Sequence, residues 1–181
     1  VQTWADRLGP AEMLELCAAD NARPAVHLRA APGRRDALAS ALAAMEWETR
    51  PIDLAPDASE LITRVPPAVL IEAVDEPCAV QDAAAQLVAP LLASAVGPGA
   101  RVLDLCAAPG GKTGHLAQLL GPDGRVVACD PDRRRLDRML PTLRRLGLAD
   151  RVEPVVTRGE TASFPPGSFD GVLVDVPCTG T

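Results

Sequence analysis

Four short apolar runs, RVLDLC from Arg101, RVVACD from Arg125, RVEPVV from Arg151 and FDGVLVDV from Phe169, recur at intervals along the second half of the chain. Each is too short for a helix, rich in Val and Leu, and bounded by Gly, Pro or Asp, as strands of a parallel sheet are. Helical patterns over Lys112–Leu120 and Pro131–Leu146 separate the first three runs and supply crossovers. The expected class is α/β with a doubly wound parallel sheet. Four strands fall short of a usual sheet of this kind, so the sheet is expected to be incomplete at Thr181, and both ends of the chain read as cut.

The first part follows another rhythm. Residues 10–20 (PAEMLELCAAD) suit a short helix opened by proline, residues 25–30 (AVHLRA) alternate as a strand does, and residues 34–46 form an amphipathic helix through Leu38, Leu42 and Met45. Trp47–Leu54 and Leu61–Val65 read as further strands, and Pro66-Pro67 and Pro77 punctuate the exit. This predicts a small α/β subdomain over residues 1–77, followed by a larger domain from residue 78 to residue 181. The larger domain opens with a helix over residues 82–95, with Asp82 as its N-cap and a kink at Pro90.

Charge divides along the same line. Residues 1–80 carry 7 Arg against 13 acidic residues, whereas residues 81–181 balance 11 basic against 11 acidic, so the net charge of -6 belongs to the first part. Arg133, Arg134, Arg135, Arg138, Arg144 and Arg145 gather in one predicted helix, as a solvated face or a phosphate-contacting patch. Five cysteines without a C-x-x-C pair, and only two histidines, argue against a metal site or a disulfide framework and for a reducing cytoplasm. No apolar run approaches the ~18 residues of a membrane span.

The strongest local signal is CAAPGGKTG, Cys106 to Gly114, between the first parallel strand and its helix. Gly110 and Gly111 let the backbone turn sharply beneath a ligand, and the helix start offers free N–H groups to an anionic part of it. The stretch is not a P-loop, because Cys106 stands where the first glycine would be, and no G-x-G precedes the helix as a dinucleotide fingerprint requires. S-adenosylmethionine remains, with its carboxylate at the turn. Its ribose needs an acid at the end of the next strand, and Asp130 lies there, 20 residues after Gly110. Asp130 alone does not separate this cofactor from NAD, and it can also cap the following helix. Asp104 either orders the turn or touches the cofactor.

Taken together, VLDLCAAPGGKT, VVACD and the closing VDVPCTGT resemble the bacterial Sun-type ribosomal RNA cytosine-C5 methyltransferases, the family of small-subunit methyltransferase B. PCAVQDAAAQLVAPLL resembles the segment before their catalytic domain. The resemblance is close over residues 78–181 and looser before. It implies a Rossmann-like S-adenosylmethionine-dependent methyltransferase fold, ribosomal RNA as the partner, and a cytoplasmic enzyme with no metal and no membrane contact. It assigns the cofactor loop to Cys106, Ala107, Ala108, Pro109, Gly110, Gly111 and Lys112, the ribose acid to Asp130, and the later acid to Asp175. A family aspartate near the adenine has no counterpart in VVTRGE, where Thr157 or Arg158 stands in its place and Glu160 is the substitute.

The implied chemistry needs cysteine. A thiolate attacks carbon 6 of the ring, carbon 5 becomes nucleophilic enough to take a methyl group, and a base then removes the carbon-5 proton. In the family a later Thr-Cys supplies the attacking thiol. Cys178 would then assist release beside Asp175, with Lys112 adding positive charge. DNA cytosine methyltransferases offer the rival assignment, with Cys178 as nucleophile, but their glycine turn differs. Cys106 and Cys129 also read as small residues at strand ends. Arg29, Arg34 and Arg35 are the arginines expected to help the first part grip RNA. A cofactor-binding fragment without turnover and, more weakly, an NAD-dependent oxidoreductase are the remaining alternatives.

Overall fold

A computed structural model describes residues 2–22 and 24–176. Cys178 therefore lies outside the described residues. Two four-stranded sheets organise the chain. Ahead of the first sheet, α1 (Gln2–Leu8) and α2 (Pro10–Asn21) pair with each other and bury no residue completely.

The first sheet holds β1 (Val26–Ala30), β2 (Thr49–Pro51), β3 (Ala58–Leu61) and β4 (Cys78–Val80) in the order β2-β3-β1-β4, antiparallel throughout. Leu38 and Leu42, four residues apart on α3 (Arg35–Ala43), pack on Leu28, Ala30 and Leu61. Each fully buried leucine contributes about 1.5–3 kcal/mol relative to an exposed one. Three expectations shift here. β3 starts at Ala58 rather than Leu61, because its pairing with β1 runs from Val26↔Leu61 to Arg29↔Ala58. Pro66-Pro67 does not merely punctuate but opens α4 (Pro67–Ala73), where a missing N–H is harmless, and Leu70 closes the core. The first sheet also reaches past residue 77, since β4 pairs with β1 as an edge strand.

The second sheet is parallel, with β5 (Arg101–Asp104), β6 (Arg125–Asp130), β7 (Val152–Val156) and β8 (Gly171–Leu173) in the order β7-β6-β5-β8. Helices α5 (Val88–Val96), α6 (Gly111–Leu119) and α7 (Arg133–Arg145) share one face, packing Ala89, Leu116, Leu136, Met139 and Leu143 on Val102, Val126 and Ala128. The opposite face, Leu103, Val127 and Cys129, is packed by Phe164 and Phe169. The α/β parallel-sheet reading stands, with the described helices all on one side. Asp82 accepts from the amides of Ala84 and Ala85 as a cap does, but it caps a short 3-10 turn at Ala85–Leu87. The α-helix begins only at Val88, so Pro90 falls in its first turn, where its N–H would have no helical partner, and the expected kink has no cause. Among the described residues no helix is long and apolar enough to cross a membrane.

Candidate functional site

Going outward from β5, the chain continues to β6 on one side and β8 on the other. At such a switch the carboxyl ends of parallel strands open a crevice, the usual ligand position in this architecture. A cavity of about 1030 Å³ lies there, lined by Asp104, Cys106 to Pro109, Gly111, Lys112, Asp130 and Asp175. Of the cofactor and acid positions named from the sequence, only Gly110 does not line it.

Gly110 serves the turn instead. Its φ of 98° is left-handed, and a Cβ there would come within 2.5 Å of Met139 Cβ on α7. The turn is closed by Gly110 N–H to Ala107 O at 2.7 Å and tied to β6 by Ala107 N–H to Cys129 O at 2.8 Å. Asp104, only 1% exposed, anchors it from below, accepting from Thr113 Oγ1 at 2.8 Å and from Cys106 N–H at 3.3 Å. Burial pushes its pKa up to about 6, against the lowering effect of those hydrogen bonds. Asp104 thus orders the turn and also borders the cavity.

Asp130 ends β6 with 2% exposure. Its Oδ1 accepts from Asp132 N–H at 2.9 Å and its Oδ2 lies 3.2 Å from Arg135 Nη1. The helix cap itself falls to Asp132, whose carboxylate accepts from Arg134 N–H at 2.8 Å. Arg135 also donates to Ala108 O at 3.0 Å, joining the acid to the glycine turn.

Lys112 Nζ and Asp175 Oδ2 form an ion pair at 2.6 Å at the cavity wall. Cys106 is half-buried among acids. Burial first, then Asp104, Asp130, Asp175 and Glu160, raise its pKa, so it is a poor thiolate. Burial likewise pushes Cys129 up to about 11. Cys129 packs in the core beneath the sheet, whereas Cys106 borders the cavity. Arg158 and Glu160 line the cavity, whereas Thr157 is used by its amide, which donates to Asp130 O at 3.3 Å.

Other lining residues were not read from the sequence. Val80 ends β4, Gln81 and Ala85 follow it, and Arg135 comes from α7. Arg135 carries a signal in retrospect, standing five residues after the strand-end acid; Gln81 carries none, because only the docking of the two sheets brings it near Gly111.

The arginines separate by environment. Arg29 is 2% exposed and so cannot meet RNA, which corrects the expectation placed on it. Arg34 is held by Glu76 through two hydrogen bonds of 2.9 Å. On α7, Arg133 pairs with Asp137 at 2.9 Å and Arg145 donates to Cys78 O, while Arg134, Arg138 and Arg144 are exposed.

A sequence profile described as 16S rRNA methyltransferase RsmB/F matches residues 92–181. Ribosomal RNA small subunit methyltransferase B of Pseudomonas syringae pv. tomato is 38% identical over 175 residues, covering 95% of this chain and 38% of that protein. The 26S rRNA (cytosine-C(5))-methyltransferase nsun-1 of Caenorhabditis elegans is 41% identical over 92 residues, 51% of this chain and 14% of its own length. Among solved structures, a methyltransferase homolog protein from Pyrococcus horikoshii aligns with a TM-score of 0.81 at 26% identity, over 99% of this chain and 60% of that one. The chain thus spans less than half the length of these two curated relatives.

Proposed function

Because the chain belongs to the RsmB/F family of 16S rRNA methyltransferases, we propose that it holds S-adenosylmethionine at the glycine turn for methylation of carbon 5 of a cytosine in ribosomal RNA, in the cytoplasm. The observation that carries this reading is the convergence of Asp104, Asp130 and the Lys112–Asp175 pair around one cavity at the switch of the parallel sheet.

The residues fit the cofactor. The backbone of Ala107 to Gly111 leaves room that side chains would fill, and the first amides of α6 suit a carboxylate. Asp130, steadied by Arg135, would accept from the ribose hydroxyls. Glu160 and Arg158 line the same cavity and would be available to the adenine end. When bound, the cofactor supplies an electrophilic methyl group on a sulfonium.

The remaining work belongs to side chains. Lys112 holds Asp175 in one orientation through the 2.6 Å ion pair. Asp175 would hydrogen-bond the ring through a proton held at N3, which balances the negative charge that develops there as a thiolate adds to carbon 6. Cys178, three residues further on, would assist the departure of the product.

Calorimetry with S-adenosylmethionine tests the reading. Saturable binding is expected for the folded chain. Gly111→Arg, whose side chain would enter the cavity beside Gln81, should weaken binding at least tenfold. A folded chain that binds no cofactor overturns the proposal.

A further inference from the structure

Arg29 sits in the antiparallel sheet, far in sequence from the glycine turn, and is almost wholly buried. Burying a charged guanidinium without a close partner costs several kcal/mol. Burial draws its pKa down to about 10, partly offset by Asp57, so it remains charged at neutral pH. Among the described residues its Nε and Nη1 atoms have no hydrogen-bond partner.

Among the described residues, three acceptors at the same seam are also unpaired: Oε1 of Gln81, Oε1 of Gln86 and Nδ1 of His115. The segments that carry these groups are joined directly. Gln86 Nε2 donates to Leu28 O at 3.3 Å and to Gln81 O at 2.9 Å, and Gln81 N–H donates to His27 O at 3.1 Å. Arg29 Nη2 lies against α6, 4.0 Å from where a Cβ on Gly114 would stand. At the next residue, burial and then the Arg29 charge push the His115 pKa down to about 3. His115 is therefore neutral, and one of its ring nitrogens accepts.

Two unpaired donors and three unpaired acceptors, gathered where β1, the 81–87 segment and α6 meet, suit bridging by one or two buried waters, each making about three hydrogen bonds. We propose that Arg29 is a positioning residue: through a bridged network with Gln81, Gln86 and His115 it locks the first sheet against α6 and sets Gln81 beside the glycine turn. Gln81 is the link to the cavity, which it lines, with its side chain 3.7 Å from where a Cβ on Gly111 would stand. The small domain is then part of the cofactor site as well as a neighbour of it. This deepens the cofactor reading above and rests on it.

Arg29→Met keeps the aliphatic stem and removes the donors, while Arg29→Lys keeps the charge and removes the fork. Amide hydrogen exchange in the cofactor-free chain and affinity for S-adenosylhomocysteine are measured for both. Arg29→Met should speed exchange in the first turns of α6 on the order of tenfold, leave α3 unchanged, and weaken binding on the order of tenfold, with Arg29→Lys between. Combined with Gln81→Ala, it should weaken binding no further than Gln81→Ala alone, as coupled positions do. Unchanged exchange in α6, or additive losses in the double variant, overturns the inference. If Arg29→Met does not fold, wild-type exchange and affinity in Arg29→Lys overturn it. If the wild type binds no cofactor, the proposed function fails, and exchange alone decides Arg29.

Discussion

The two sheets have four strands each, yet only one of them builds a site. In the antiparallel sheet successive strand ends point in opposite directions, and its charged residues Arg50, Glu60 and His27 line up across the strands, inside them, rather than at one shared end. In the parallel sheet every carboxyl end points the same way. Asp104 and Asp130, the last residues of β5 and β6, and Asp175, two residues beyond β8, therefore meet at one edge. Direction of strands, rather than number of acids, concentrates the chemistry. Among the described residues, the antiparallel sheet reaches the cavity through Val80 at the end of β4 and through the segment that follows it.

The sharpest test of this contrast uses one left-handed glycine from each region. Gly110→Val forces a Cβ against Met139 and strains a φ of 98°, and should destabilise by about 4 kcal/mol and remove cofactor binding. Gly33, with a φ of 71° and nothing within 4 Å, should lose only about 1–2 kcal/mol to backbone strain as Gly33→Val. Thermal denaturation compares them, and equal losses would show that the turn around Gly110 is not specially constrained.

The next comparison concerns whether the two cores melt together. Leu116→Ala in the parallel half and Leu28→Ala in the antiparallel half each remove a leucine with 0% exposure, and each should cost about 2–5 kcal/mol. If Arg29 couples the halves, calorimetric scans of both variants show one transition shifted down. Two transitions, each moved by only one variant, would separate the halves.

The smallest effects are those of pH, and the two regions differ in sign. Asp104 has a folded pKa of about 6, above its ordinary value near 3.8, so its contribution is present below about pH 4 and is lost as pH rises through 6. Two pKa units correspond to about 3 kcal/mol as an upper figure. Asp104→Asn, which can still accept from Thr113, should flatten stability between pH 4 and pH 6. In the first region the hydrogen bond from Arg34 lowers the Glu76 pKa, so its small contribution is present at neutral pH and lost in acid. Denaturant titrations at pH 4, 5, 6 and 7 distinguish these signs, and a wild-type stability independent of pH from 4 to 6 would contradict the burial of a charged Asp104.

Much of the site was legible because its geometry is local. The strand over Arg125–Asp130, the helix from Gly111 and the turn between Cys106 and Gly110 follow from apolar runs, two glycines and an acid at a strand end, all within 30 residues. Local chemistry determines such features, since a turn needs its glycine and a buried strand its valines wherever they occur. Less local features were missed or misplaced. The start of β3 depends on pairing with β1, and α4 opens at a proline pair that also reads as a break.

By itself, the sequence determined the α/β class, the parallel half and the cofactor-type turn, because periodicity and backbone freedom are properties of neighbouring residues. Only the tertiary structure decided that Arg29 is buried against α6, that Gln81 borders the cavity, and that Lys112 reaches Asp175 63 residues away. Those contacts depend on how two sheets dock, and docking is set by the fit of whole surfaces that no short stretch of sequence carries.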